Sequence, residues 1–170
     1  MNVRIRLTRV LHDQVRTDLS RPHPFAAERV GFVFGRLGND GTAAPIILLT
    51  GYEPLADERY INDPFAGARI DSQAIRGAMQ SVIDRGEGAF HVHLHDGRGK
   101  PRFSTMDRDE LPRLIPSFQA VGPKLAHGLF LLSTDECAAD VWLPGNAKPI
   151  EPDRITIVGY PLRFFDGGNR

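Results

Sequence analysis

The sequence of 170 residues contains a single cysteine, Cys137, and no long hydrophobic run. One cysteine cannot form an internal disulfide, so a reducing compartment is the simpler expectation. No stretch approaches the roughly 18 apolar residues that span a bilayer. The basic start at residues 1–6 has no apolar run behind it, so it is not a signal peptide. We therefore expect a cytoplasmic protein that has no membrane partner.

Neither sign of charge is in excess, because 21 Lys and Arg residues balance 21 Asp and Glu residues. This balance removes the argument for broad electrostatic binding to nucleic acid. The sequence also lacks internal repeats, low-complexity tracts and a convincing linker. We therefore predict one domain over residues 1–165, followed by a disordered tail at residues 166–170.

Short-range patterns predict an alternation of strands and helices along the chain. Pro112 and Pro116 lie inside the last predicted helix, so that helix is expected to be kinked or split. Helices separated by mixed strand pairs predict an α/β (α+β) fold in which helices flank a curved sheet. The predicted strands are 3–7, 30–35, 45–50, 89–95, 127–133, 138–143 and 155–165, and the predicted helices are 8–19, 71–85 and 104–118.

The most informative stretch is the predicted strand that contains His91, His93 and His95. Side chains alternate between the two faces of a strand, so these three histidines point to the same side. Neutral histidine is a good zinc ligand, and two imidazoles spaced in this way can chelate one metal ion. A catalytic zinc site also needs a third protein ligand and one open position.

Asp107 is the best candidate for the third ligand, because the glycine-bearing loop 96–103 can fold back and place the next helix beside the histidine strand. Glu110 is the next-best candidate, whereas Asp109 faces away from Asp107 on a helix. Ser104 and Asp107 also have the spacing of a capping box, and that spacing alone favours capping. The two roles can coexist.

Three motifs together resemble the JAMM/MPN (JAB, Mov34) family of zinc metalloproteases, and in particular its prokaryotic deubiquitinase-like members. The first motif is His93-Leu94-His95, and the second is Ser104-Thr105-Met106-Asp107. The third is an upstream glutamate followed by a glycine-bearing apolar strand, here residues 28–35. The spacer between the first two motifs is one residue longer than usual, and Asp96 stands where a proline is common.

This resemblance implies a single MPN/JAB-like domain with a curved mixed sheet, flanking helices and a cytidine-deaminase-like architecture. It further implies one zinc ion per chain, held by His93, His95 and Asp107. Glu28 would accept a proton from the zinc-activated water and return it to the leaving amine. Ser104 would donate a hydrogen bond to the oxyanion.

Three further assignments stay open. His91 shares the face of the metal ligands and could donate a hydrogen bond from outside the ligand shell. His91 could instead pair with His93 as a ligand, although His93 and His95 match the family spacing. Glu53, which follows the second strand of the predicted hairpin, is the alternative to Glu28.

The resemblance implies an isopeptidase or peptidase that cleaves after the C-terminal glycine of a ubiquitin-like modifier, in deconjugation or in precursor maturation. A flexible tail can add as a strand to an exposed sheet edge and so reach the zinc ion. The expected partners are the modifier or its conjugates, together with E1/E2-like enzymes of the same system. The alternatives are a zinc hydrolase of a small amide or of a sulfur-carrier protein tail, and a non-catalytic MPN scaffold.

Overall fold

The structure is a computed structural model that describes residues 2–39, 41 and 44–167. Its helices and strands follow one another closely, and two short 3-10 turns lie at Asp57–Arg59 and Leu111–Leu114. In chain order the elements are β1 (Arg4–Thr8), α1 (Arg9–Leu19), β2 (Val30–Gly38), β3 (Ile46–Pro54), α2 (Ser72–Arg85), β4 (Gly88–Leu94), α3 (Thr105–Glu110), α4 (Ile115–Val121), β5 (His127–Leu132), β6 (Cys137–Trp142), β7 (Arg154–Val158) and β8 (Arg163–Asp166).

The eight strands in the described part of the chain belong to one mixed sheet with the order β6-β5-β4-β2-β3-β1-β7-β8. β1 runs parallel to both β3 and β7, and β4 runs parallel to β5. The two ends of the sheet lie close together. Arg163 in β8 donates a hydrogen bond to the carbonyl of Asp135, just before β6, at 2.5 Å. The sheet is therefore curled into a nearly closed, barrel-like shape.

Helix α1 packs against one face of the curled sheet. Its residues Leu11, Val15 and Leu19 are spaced four apart, so they form one apolar stripe on the helix. All three are buried in the main core together with residues of β1 and β7. Burial of one such side chain contributes about 1.5–3 kcal/mol. Helices α2 and α4 pack on residues of β2 and β4, in a second core that contains Phe34, Ala78, Val82, Ala89 and Phe118.

The expected α/β (α+β) sandwich, with its MPN/JAB-like and cytidine-deaminase-like architecture, is wrong. The structure consists mostly of strands, which form one nearly closed sheet, and its helices are short. Residues 155–165 were expected to form one strand, but they form the antiparallel hairpin of β7 and β8. Pro112 and Pro116 interrupt the expected helix 104–118, which is split into α3, a 3-10 turn and α4.

The helix predicted over residues 71–85 is confirmed. The Asp71 side chain accepts a hydrogen bond from the Ala74 amide at 2.8 Å, which caps the start of α2. Gly86 ends the helix with a φ of 61°, a left-handed conformation that glycine adopts without steric cost. Of the tail predicted at 166–170, residues 168–170 lie outside the described part of the chain. None of the described helices has the length and apolar character needed to cross a membrane.

Candidate metal centre

Strand β4 carries the histidines of the candidate site. His91 and His93 lie on β4, and His95 follows its last residue while its amide still donates to the Leu132 carbonyl of β5 at 2.9 Å. This bond keeps the chain extended through His95, so His93 and His95 project from the same face of the sheet. Their Nε2 atoms lie 3.2 Å apart.

Helix α3 brings Asp107 to the same point. Ser104 and Asp107 form a capping box, in which the Ser104 hydroxyl oxygen accepts from the Asp107 amide at 3.1 Å. In return the Asp107 Oδ2 accepts from the Ser104 amide at 2.7 Å. The cap fixes the Asp107 carboxylate at the start of the helix, and the same carboxylate faces the two histidines. The capping role and the site role therefore coexist in this residue.

The separations within this group match the spacing of ligands around one small metal ion. Tetrahedral ligands that each lie ~2.0–2.1 Å from zinc are separated from one another by about 3.3 Å. The His93 Nε2 lies 3.5 Å from Asp107 Oδ1, and the His95 Nε2 lies 3.4 Å from Asp107 Oδ2. The two nitrogens lie 3.2 Å apart, and each faces a different oxygen of the Asp107 carboxylate.

Glu28 reaches the site from the segment just before β2. Val30 at the start of β2 pairs with His93, so continuing the antiparallel register brings Glu28 opposite His95. The Glu28 Oε2 lies 3.9 Å from the His95 Nε2. Ligand atoms of Glu28, His93 and His95 all lie within 4.8 Å of one another, so this cluster could hold a metal ion. Two carboxylates, Asp107 and Glu28, thus face the same pair of histidines.

The environments of these two carboxylates push their pKa values in opposite directions. Burial opposes ionisation of Asp107, but hydrogen bonds with His93 and Ser104 outweigh it and hold its pKa well below the usual range. Burial raises the pKa of Glu28 above its ordinary value, although His93 and His95 partly oppose the increase. Asp107 therefore gives up its proton more readily than an ordinary carboxyl group, and Glu28 gives up its proton less readily.

Ser104 is exposed, and its hydroxyl oxygen is engaged by the Asp107 amide, which leaves the hydroxyl hydrogen available for donation. His91 is buried, and this burial lowers its pKa to about 3. Its Nδ1 has no hydrogen-bond partner among the described residues. The hydrogen bond expected from His91 outside the ligand shell is therefore not formed through that nitrogen.

His93 departs from the usual environment of a metal-bound histidine. Its ring is buried, and its Nδ1 has no hydrogen-bond partner within the described residues. Metal-bound histidines almost always donate their second ring N–H to an acceptor, and loss of such an outer partner typically lowers metal affinity ~10–100-fold. The donor set fits a metal ion, but this missing partner lowers the affinity expected of the site.

Three residues hold the backbone from which Glu28 projects, through several hydrogen bonds. The buried Arg29 pairs with Asp57 at 2.7 Å and donates to two carbonyls of the 21–22 segment. The Tyr60 hydroxyl bonds both the amide and the carbonyl of Val30. The Gly67 carbonyl accepts from the amides of residues 27 and 28 at 2.8 and 3.2 Å. Local sequence gave no indication that Arg29, Tyr60 or Gly67 would support the site.

Two clefts meet at Glu28 and Gly67, which line both of them. One cleft, of about 360 Å³, lies beside α3 and reaches Asp107; its walls include Phe65 and Met106. The other, of about 590 Å³, lies on the His95 side and is lined by more polar residues, among them Arg21 and His23. Glu28 thus borders both clefts, Asp107 borders the smaller one and His95 borders the larger one.

The other carboxylates considered from the sequence lie in different surroundings. Glu53 accepts hydrogen bonds from Ser81 at 2.8 Å and from Arg85 at 2.7 Å, which engage both of its carboxylate oxygens. Glu110 lines the smaller cleft but pairs with Arg113 at 2.8 Å. The structure thus brings together Glu28, His93, His95, Ser104 and Asp107, and it gives Glu53 and Glu110 other partners.

Comparison with known proteins does not assign the chain to a family. No protein-family model matches the sequence, and no curated protein matches it. Among solved structures, the chain is similar to the Trichoplax adhaerens STIL N-terminal domain, with a TM-score of 0.36 and 10% sequence identity. The match covers 79% of this chain and 39% of that one.

Proposed function

We propose that this chain is a zinc-dependent hydrolase of amide bonds. The observation that carries the proposal is the group formed by His93, His95 and Asp107, whose facing ligand atoms lie 3.2–3.5 Å apart. Two imidazoles and one carboxylate form a ligand set typical of catalytic zinc sites, which keep a fourth position open. A zinc ion bound there would lower the pKa of a coordinated water molecule and polarise a carbonyl oxygen.

The residues around that position have the chemistry that hydrolysis requires. Glu28 accepts the proton of the attacking water as the new carbon–oxygen bond forms, and its raised pKa makes it a stronger proton acceptor than an ordinary glutamate. It then passes the proton to the amine nitrogen as the carbon–nitrogen bond breaks. The Ser104 hydroxyl donates to the carbonyl oxygen while negative charge develops on it, a contact whose loss typically costs ~10²–10³ in rate.

The sequence motifs shared with JAMM/MPN metalloproteases narrow the proposed substrate to the tail of a ubiquitin-like modifier, cut after its C-terminal glycine. The two clefts that meet at Glu28 and Gly67 support an extended polypeptide as the substrate. In this proposal the partners are the modifier or its conjugates and the E1/E2-like enzymes that handle them. The ligand set, and not a likeness in fold, supports this assignment.

The test compares a modifier fused past its terminal glycine with a panel of small amides, using protein loaded with one zinc ion per chain. We expect Glu28→Gln to keep its zinc and to lose about 10²–10⁴-fold in kcat, because it has nearly the same shape but cannot take up a proton. Glu110→Gln is the matched control, since Glu110 lines the same cleft but pairs with Arg113.

Each outcome assigns the protein to one of the candidate classes. Cleavage of the fusion supports the modifier assignment, and cleavage of small amides alone supports a small-amide hydrolase. Zinc binding with cleavage of neither indicates a non-catalytic scaffold. If metal analysis finds no zinc on protein that was purified without chelators and then offered zinc, the proposal is wrong.

A further inference from the structure

The segment between β3 and α2 contacts the candidate site through one glycine. An ideal Cβ placed on Gly67 would lie 2.3 Å from the Glu28 Oε1 and 3.0 Å from its Cδ. No side chain larger than hydrogen fits between the Gly67 backbone and the Glu28 carboxylate. The position of the carboxylate therefore depends on the absence of a side chain at residue 67.

Backbone conformation does not explain the glycine. The φ of Gly67 lies outside the left-handed region in which glycine is favoured over other residues. An alanine could thus adopt the same backbone without torsional strain. The Cβ of an alanine would instead clash with the Glu28 side chain, so the need for glycine comes from a residue of the candidate site.

The Gly67 backbone is not free to move away from Glu28. Its carbonyl accepts hydrogen bonds from the amides of Ala27 and Glu28. These bonds tie the segment to the start of β2, at the residue whose side chain faces it. If a methyl group is added at residue 67, we therefore expect the end of the flexible Glu28 side chain to move, and not the Gly67 backbone.

We propose that Gly67 is a positioning residue that holds the Glu28 carboxylate beside His95 and over the junction of the two clefts. This inference rests on the proposed function, in which Glu28 moves the proton. A methyl group at residue 67 would displace the carboxylate by about 1 Å, enough to relieve the 2.3 Å contact. Displacements of this size typically cost ~10²-fold in rate.

The test is Gly67→Ala, with Gly77→Ala as the matched control. A Cβ at Gly77 in α2 meets no described atom within 4 Å, so the control adds the same methyl group without a contact. We expect zinc-loaded Gly67→Ala to lose about 100-fold in kcat. Its zinc content stays at the wild-type level, because in the proposed site Asp107 and the histidines hold the metal. Gly77→Ala keeps the wild-type kcat.

A second substitution separates positioning from a general disturbance of the loop. Glu28→Asp shortens the side chain by one methylene and withdraws its carboxylate from residue 67. In the Glu28→Asp background, we expect Gly67→Ala to cost several-fold less in kcat than it does in the wild type. An equal cost in both backgrounds overturns the positioning role, because the loss then does not pass through the carboxylate.

Crystal structures of the two glycine variants give a result that does not depend on turnover. We expect the Glu28 carboxylate to be displaced by about 1 Å in Gly67→Ala and to be unmoved in Gly77→Ala. If the wild-type protein hydrolyses no substrate, the proposed function fails, and the structures alone decide the inference about Gly67. A carboxylate that stays in place, or a Gly67→Ala variant with the wild-type kcat, overturns it.

Discussion

The neighbouring parallel strands β4 and β5 each carry a fully buried histidine, and the two rings have different hydrogen-bond environments. His127 in β5 accepts from the Ala89 amide through Nδ1 at 3.2 Å, and its Nε2 donates to the Gly122 carbonyl at 2.9 Å. His93 in β4 has no partner for Nδ1 within the described residues, and its Nε2 faces another imidazole and a carboxylate.

Under the proposed function, this difference distinguishes a histidine that supports the fold from one that binds the metal ion. The polar atoms of His127 are satisfied by backbone groups, which compensates the cost of burying them. The Nε2 of His93 faces the position shared with His95 and Asp107, where a metal ion would satisfy all three. Burial is equal in the two histidines, so the partners, and not the burial, indicate the role.

The largest expected effect is on metal binding at the β4 site. Under the proposed function, we expect His95→Ala to weaken zinc binding by more than about 100-fold, because a direct ligand contributes more than the outer partners whose loss costs ~10–100-fold. The measurement is competition with a chromophoric chelator on the purified protein. His127→Ala should leave zinc affinity at the wild-type value, and a comparable loss in both variants would remove the distinction.

The next effect is on stability and lies at the β5 histidine. We expect His127→Ala to lower the free energy of unfolding by about 3 kcal/mol, since it leaves the buried Ala89 amide unpaired and opens a cavity. Urea denaturation of the metal-free protein measures this change. His95→Ala is the reciprocal control, and its side chain is 27% exposed, so its cost should stay below about 1 kcal/mol.

The smallest expected effect is a pH dependence that belongs to His127. Burial lowers the pKa of His127 below its ordinary value of 6.5. The unfolded chain therefore binds more protons than the folded protein in the range between the lowered pKa and 6.5. This contribution to stability is fully present above pH 6.5, and it is lost as the pH falls through 6.5 and below.

The non-titrating variant His127→Gln isolates this contribution, because every other group titrates alike in both proteins. We expect the unfolding free energy of the metal-free wild type to fall more steeply below pH 6.5 than that of His127→Gln. The measurement is urea denaturation across a pH series. Parallel pH profiles would show that His127 does not titrate on unfolding.

Local signals in the sequence were sufficient for features that depend on near neighbours. Asp71 and Gly86 marked the two ends of α2, and Pro112 and Pro116 marked the break after α3. The alternation of residues 91–95 placed the histidines on one face, because strand periodicity is a local property. The capping box at Ser104 likewise formed as its spacing predicted.

Features that depend on distant pairing could not be predicted in the same way. Residues 155–165 have strand character throughout, and the turn that divides them into β7 and β8 was missed although Gly159 and Pro161 lie within it. The curl of the sheet depends on contacts such as Arg163 with Asp135, which lie 28 residues apart. The role of Gly67 is visible only once its segment lies against Glu28, because an isolated glycine in a loop has many explanations.

The position of β1 in the sheet has a consequence for how the chain folds. Its two neighbours are β3 and β7, and β7 begins at Arg154, about 150 residues further along the chain. During synthesis, the apolar residues of β1 and α1 cannot pack against β7 until residues 154–158 have left the ribosome. Because closing so long a loop precedes the gain from pairing, we expect the β1–β7 pairing to form late in folding.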